Sequence, residues 1–243
     1  MKFLSCNIEG NKHFERILPL LKRERPDVVA LQEVFECDLA ELQKATGLAN
    51  YLFYPNAAVK ELNDHLPPRG PWGIAIFADE IVEQQVTYYV RQAVGQLANF
   101  RNDRPDLIDR AALFARVRVG AELFSVLTTH FTWSGEGVVS EQQRRDYAGL
   151  RQFMAQFDEL IFCGDLNTPR GHELWSDLAK RYRDNIPLDV DTTIDKNLHK
   201  SGQDIRLVID GLFTSKHYSA SKVQVLPGTS DHMAVAAELV RVS

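Results

Sequence analysis

Apolar residues along the chain fall into short runs whose period switches between that of a helix and that of a strand, and this alone predicts a layered mixture of the two. Residues 2–7 form a brief apolar-rich run that reads as a strand. Over residues 12–25, Phe14, Ile17, Leu18 and Leu21 recur at helical spacing, and Pro26 forbids the helix to continue. Residues 27–32 hold Val28, Val29, Ala30 and Leu31 in succession, the mark of a strand buried on both faces. A second helix is predicted over 38–46, stopped at Gly47. Residues 50–54 and 72–78 read as strands, separated by a long loop over 55–71 that carries His65, Pro67, Pro68, Arg69 and Gly70. Loops of that length in compact domains are often functional. Residues 112–119 and 122–129 form a predicted hairpin about Gly120. Residues 140–157 make a helix that turns Tyr147, Leu150, Phe153 and Met154 inward, and 160–163 a short buried strand. Thr168 and Pro169 are placed to open a further helix, proline being favoured at the first helical position. Residues 207–214, 222–225 and 234–240 complete the strands.

The order starts strand–helix–strand–helix and then becomes rich in strands, which predicts an α/β or α+β layered domain rather than a purely parallel sheet. No linker rich in Pro, Gly or Ser divides the 243 residues, so a single domain over 1–243 is expected. Composition adds exclusions: 44 % apolar and 25 % charged residues rule out a disordered or collagen-like chain. The net charge of −5 does not mark a nucleic-acid binder. Arg101, Arg104 and Arg110, and separately Arg144 and Arg145, are local basic clusters that read as solvated surface. Cys6, Cys37 and Cys163 form no CxxC pair and are expected to be reduced thiols. The apolar run at the start of the sequence is too short for a signal peptide, and no run reaches the ~18 apolar residues of a membrane span. A cytoplasmic protein, monomeric and with no obligate protein partner, is the expectation.

Chemistry enters where apolar strands end in polar residues, because such residues sit on loops at a sheet rim. Five runs end this way. Asn7 and Glu9 follow FLSC, with Gly10 close behind, a pattern that also suits a plain turn. Glu33 follows VVALQ; under strict alternation it shares a face with Val29 and Leu31 and points where the core points. A carboxylate there needs a partner, either a salt bridge or a hard cation. His130 follows LFSVLTT. The string CGDLNTP places Asp165 and Asn167 two apart, so that in extended chain both side chains aim at one point; an Asx turn with a helix cap is the structural alternative. Asp210 in IDGLF and the pair Asp231–His232 in SDHMAV close the series.

Taken in order, the strings CNIEG, ALQEV, TTHF, GDLNTP, VIDGLF and SDHMAV make the chain resemble the endonuclease/exonuclease/phosphatase superfamily, magnesium-dependent phosphohydrolases related to deoxyribonuclease I, over nearly its whole length. The resemblance implies a deoxyribonuclease I-like α+β sandwich of four layers, two packed mixed, mostly antiparallel sheets flanked by helices, with the site at one rim. It implies hydrolysis of a P–O bond by water, with Mg2+ as cofactor and Mn2+ as a substitute. Glu33 then matches the principal metal ligand, Asp231 completes the metal environment, and Glu9 stands where some members place a metal-holding aspartate. Asn7 and Asn167 match residues that position the phosphate or the water. Asp165 matches the acid that acts on the water or on the leaving group. His232 matches a general base or a cation on the phosphate, oriented by Asp210. His130 matches a donor to the phosphate or leaving group; the abasic-site endonucleases of the family tend to carry tyrosine in that region. Arg69, Arg104 and Arg110 are candidates for binding further phosphates. Trp133 is read as packing rather than as a platform for a ring, and His13, His65, His172, His199 and His217 as structural or exposed. The favoured activity is that of a phosphodiesterase or nuclease. A sugar- or inositol-phosphate phosphatase, a sphingomyelinase-like phosphodiesterase and an inactive binding module on the same fold are the alternatives.

Overall fold

The strand β2 (Val28–Phe35) illustrates how this chain distributes its apolar side chains. Val28 and Ala30 join one core, while Val29, Leu31 and Val34 join another. A strand buried on both faces must lie between two layers, and the computed structural model, which describes residues 1–62, 66–91, 95–101, 104, 107–135 and 137–242, contains those layers. One six-stranded sheet runs in the order β11 (Tyr218–Leu226), β12 (Ala234–Arg241), β1 (Lys2–Asn7), β2, β4 (Gly70–Ala78), β3 (Asn50–Val59). The other runs β5 (Glu80–Val90), β6 (Arg110–Val119), β7 (Glu122–His130), β8 (Ile161–Asp165), β10 (Asp210–Thr214), β9 (Arg183–Asp184). Helices α1 (Phe14–Glu24) and α2 (Leu39–Thr46) cover the outer face of the first sheet with Ile17, Leu20, Leu21, Leu39 and Leu42. Helices α3 (Glu141–Met154) and α4 (Glu173–Arg181) cover the second with Tyr147, Leu150, Phe153, Leu174, Trp175 and Leu178. Each such side chain removed from water contributes roughly 1.5–3 kcal/mol before entropy is subtracted. The expected four-layer sandwich is therefore the observed one.

Topology explains why the polar strand ends meet. Each sheet has one parallel pair, β1–β2 and β7–β8, among otherwise antiparallel neighbours. Parallel strands finish at the same edge, and an antiparallel neighbour starts there. Asn7, Glu33, His130 and Asp165 thus end or nearly end β1, β2, β7 and β8. Asp210 begins β10 directly opposite Asp165, and His232 lies just before β12, which runs antiparallel to β1.

Several expectations change. The predicted loop over 55–71 is shorter, because residues 55–59 and 70–71 belong to β3 and β4. Pro55 ends the strand at Tyr54 in the sequence pattern, yet β3 is an edge strand with a register shift between Pro55 and Ala57, the setting in which a strand tolerates proline. His65 lies outside the described residues. Strand β5 was not anticipated: it is another edge strand, largely polar, and its alternation is broken by shifts at Ile81/Glu83 and Tyr88/Val90. The helix expected from Thr168 and Pro169 begins later, at Glu173, after a turn closed by His172 N–H donating to Pro169 O. Residues 207–209 precede β10 rather than forming part of it.

One glycine fixes how closely β7 and β8 approach. Gly164 has φ +133°, and a Cβ there would lie 2.0 Å from the carbonyl oxygen of Thr129 on β7. Gly164→Ala is expected to cost roughly 3 kcal/mol or more through backbone strain and displacement of that strand pair. For a chain of this size that is a fall of about 6–12 °C in Tm, read by thermal denaturation. A melt unchanged to within about 2 °C, a span of about 1 kcal/mol or less, would show that the two strands can separate cheaply.

Candidate active site

Asn7 is the hinge of the site. Its Nδ2 donates to Glu33 Oε1 at 3.0 Å and to Asp165 Oδ2 at 3.1 Å, tying the two sheets together, while its Oδ1 accepts from Glu9 N–H at 3.2 Å. Asp165 is 1 % exposed, and both histidines converge on the same Oδ2: His130 Nε2 at 3.4 Å and His232 Nε2 at 3.7 Å. His130 Nε2 is also 3.9 Å from Glu33 Oε1. The other oxygen of Asp165 accepts from Asn167 N–H at 2.9 Å, and Asn167 Nδ2 donates to Phe131 O at 2.9 Å. The Asx turn is thus the arrangement observed: Asn167 is left-handed rather than extended, its amide turns to Phe131 O, and it and Asp165 both line the cleft.

Glu33 does not reach this cluster by alternation. Val29 and Leu31 face the helical layer, so a regular strand would send Glu33 there too. Instead the pairing of β2 with β4 shifts between Gln32 and Val34, and Glu33 adopts φ +61°. The bulge leaves Gln32 facing the other sheet, with Nε2 donating to Thr128 Oγ1 at 3.0 Å, and swings the Glu33 carboxylate to the rim beside Asn7. Glu9 and Asn167 also have positive φ, +49° and +47°; among the described residues only five non-glycines do, and three of them are at this rim. Left-handed backbone at such residues costs about 1–3 kcal/mol each and persists where the surroundings enforce it.

His232 is held from behind by Asp210, whose carboxylate oxygens are 2.9 and 3.1 Å from its Nδ1. Burial alone would lower the pKa of this imidazole, but Asp210, then Asp165 and Asp231, raise it well above 6.5, which favours the imidazolium. His130 goes the other way: burial first, then the Arg110 guanidinium, pushes it down to about 4, so it is neutral. Burial also holds the Asp165 carboxyl above the usual carboxylate range, against the lowering influence of the two histidines. Arg110 is 2 % exposed and donates to His130 O at 3.2 Å; its own pKa is lowered by burial.

The remaining candidates divide. Glu9 directs Oε1 to Lys12 Nζ and Oε2 to His13 Nε2, the latter at 3.0 Å, and with His13 and Asp231 it forms a group whose ligand atoms lie within 4.8 Å of one another. A second such group is Asp165, Asp210 and His232. Of the three arginines, Arg110 lines the cleft at the rim. Arg69 pairs with Asp38 and sits over the Phe35 ring, and neither it nor the exposed Arg104 is among the cleft-lining residues. The cleft encloses about 310 Å3 and is also lined by Trp72, Phe100, Arg101, Trp133 and Lys200.

Sequence reasoning missed Thr193, whose Oγ1 accepts from the backbone N–H of both Ile209 and Asp210 while its carbonyl accepts from Met233 N–H, splinting Asp210 to the His232 loop. It missed Gln143, which donates to Thr132 O and Asn167 O, and it missed His13. Glu9 and His13 stand four apart, but the contact spans a turn into α1, and no helical period signals it.

Comparison with known proteins agrees with this fold. No curated protein matches the chain. Among solved structures, an endonuclease/exonuclease/phosphatase from Beutenbergia cavernae is 19 % identical, covering 99 % of this chain and 71 % of that one, with a TM-score of 0.75. A mannosyl-6-phosphatase from Bacteroides thetaiotaomicron is 15 % identical, with 99 % of each chain covered and a TM-score of 0.70. Danio rerio TDP2, complexed with a single-strand DNA product, is 16 % identical over 99 % of this chain and 98 % of that one, with a TM-score of 0.66. Identities this low speak for the fold alone, but the model of the Endonuclease/Exonuclease/phosphatase family matches residues 4–232, a stretch that begins in β1 and ends on the histidine that Asp210 orients, and the chain belongs to that family.

Proposed function

We propose that this protein is a divalent-metal-dependent phosphoesterase that cleaves a P–O bond by attack of water, acting on a phosphodiester. The observation that carries the reading is the convergence of Asn7, His130 and His232 on one oxygen of Asp165, beside Glu33 and at the wall of a cleft. The donor set suits Mg2+: Glu33 and Asp231 offer hard carboxylate oxygens on the cleft wall, and no thiolate lines the cleft. Glu33 and Asp231 would hold the ion, which would supply Lewis-acid stabilisation of charge on the phosphoryl oxygens. Glu9 is the weaker candidate of the three, since Lys12 and His13 already face its two oxygens.

The protein's own groups do the rest. Asp165 takes a proton from the attacking water, and burial, by raising its pKa, makes it a stronger base than an exposed carboxylate. The His232 imidazolium, with Nδ1–H donated to Asp210, presents Nε2–H to the phosphate. Neutral His130 donates to a phosphoryl or leaving oxygen, and Asn167 positions the phosphate. Arg110 adds a buried positive charge close behind. The products are a phosphomonoester and an alcohol. The fold shared with a mannosyl-6-phosphatase supports a second reading, hydrolysis of a sugar-phosphate monoester.

The test is a hydrolysis panel of bis-p-nitrophenyl phosphate, p-nitrophenyl phosphate, mannose 6-phosphate, plasmid DNA and RNA, with chelator, Mg2+ or Mn2+. Turnover should stop with chelator and return with either ion, and the diester should outpace the monoesters. Faster turnover of the monoesters selects the second reading. No metal-dependent turnover of any ester overturns both and leaves a binding module.

A further inference from the structure

Trp133 is 51 % exposed and lines the cleft, contrary to the expectation that it packs. Among the described residues its ring has no aromatic or cationic partner. An exposed tryptophan alone is ordinary. What sets this one apart is the anchoring of the backbone that carries it. Phe131 N–H donates to Asp165 O at 2.8 Å, and Phe131 O accepts from Asn167 Nδ2. Thr132 Oγ1 donates to Asp146 at 2.7 Å, and Thr132 O accepts from the buried Gln143 at 2.7 Å. Gln143 in turn donates to Asn167 O at 3.0 Å. The two residues before Trp133 are thus tied, directly or through Gln143, to Asp165 and Asn167, which anchors the backbone that carries the ring beside the catalytic groups while leaving the ring uncovered.

Another wall of the cleft repeats the design with a cation. Lys200 is exposed, lines the cleft and makes no ion pair among the described residues. Its loop is pinned through Asp195: Leu198 and His199 donate their N–H groups to Asp195 O, Asp195 N–H donates to Asp231 O at 2.8 Å, and Gly228 N–H donates to the Asp195 carboxylate at 2.7 Å. A ring platform and a cation, both on hydrogen-bonded loops and lining the same cleft as the catalytic groups, match a substrate with a planar aromatic group and a second negative charge. A cleft of about 310 Å3 suits a nucleoside-sized group.

We propose that Trp133 and Lys200 set specificity, selecting a small phosphate ester whose aromatic ring stacks on Trp133 and whose second phosphate pairs with Lys200. This rests on the phosphoesterase reading above and extends it to the substrate. The probes are thymidine 5′-(p-nitrophenyl phosphate), with and without a 3′-phosphate, and glycerophosphocholine, a diester with no aromatic ring. Trp133→Ala should raise KM for the thymidine esters about tenfold with kcat within about twofold, the range for loss of one base–aromatic stack. Trp133→Phe should stay near wild type, and glycerophosphocholine kinetics should not change. Lys200→Ala should raise KM several-fold only for the ester with the 3′-phosphate. An unchanged KM in Trp133→Ala, or an equal rise on glycerophosphocholine, overturns the proposal. Binding is read separately: thymidine 3′,5′-bisphosphate should quench tryptophan fluorescence of the wild type and not of Trp133→Phe. Quenching without turnover of any ester would leave the binding proposal standing and overturn the phosphoesterase reading. Turnover with no quenching at millimolar ligand would do the reverse.

Discussion

Asp165→Asn is expected to lower kcat about a thousandfold while leaving the melting temperature within a few degrees of wild type. The substitution keeps size and shape, and an amide oxygen can still accept the 2.9 Å hydrogen bond from Asn167 N–H. What it removes is the acceptor at the other position. There the amino group of the new amide would face Asn7 Nδ2, itself a donor, where the carboxylate oxygen now lies 3.1 Å away, and the Nε2 atoms of His130 and His232. The proposed acceptor of the water proton is lost, and so is one of the charges that raise the pKa of His232. General acid–base catalysis contributes about 10²–10⁴-fold, and the centre of a convergent cluster belongs in the middle of that range or above. Single-turnover hydrolysis of bis-p-nitrophenyl phosphate at saturating Mg2+ measures it. A variant within about tenfold of wild type would show that Asp165 organises the site without taking part in the chemistry.

The same cluster shows what a sequence can and cannot carry. Asn7, Glu33, His130, Asp165 and Asp210 were legible because each ends or begins a short apolar strand, and the parallel pairs β1–β2 and β7–β8 convert that linear feature into a common rim. Glu33 was found for a reason that fails in three dimensions. Alternation pointed it at the core that Val29 and Leu31 share, which is the helical layer, and only the bulge at φ +61° turns it to the cleft. A bulge is one residue of extra chain with no compositional mark. Strand β5 and the second half of β3 were hidden for a related reason: edge strands are half solvated, so their apolar period is diluted, and Pro55 is tolerated because it falls on an edge strand at a register shift.

The residues around the rim were harder still. Arg69 looked like a phosphate ligand in a proline-rich loop, but it faces Asp38, a partner 31 positions away in sequence that no local pattern predicts. Thr193 and Gln143 carry no chemistry of their own; they matter through the backbone groups they hold, and backbone geometry is not written in residue types. Trp133 could be placed near His130 from sequence, while its exposure depends on what the third dimension leaves uncovered above it.

His232→Ala should likewise cost about a thousandfold in kcat, and Asp210→Asn, which leaves the imidazole in place, should move the pH dependence in a definite direction. Burial by itself disfavours the charged ring; Asp210 is the largest of the influences that oppose it, ahead of Asp165 and Asp231. With a neutral amide in place of the Asp210 carboxylate, burial weighs more heavily and the pKa of His232 falls. If the cation is the active form, the alkaline limb of kcat/KM, measured at saturating Mg2+, must shift to lower pH in Asp210→Asn. The stability profile must change as well. A histidine whose folded pKa is raised above 6.5 contributes stability that is fully present below that value and lost as pH rises through the folded pKa. Wild type should therefore lose Tm on the alkaline side of pH 6.5, and Asp210→Asn should show a smaller loss over the same window. A limb that stays in place while the Tm profile flattens would mean that the imidazolium holds the fold together and that a neutral ring does the chemistry. A limb that moves with the flattening ties both to the single proton shared between His232 and Asp210.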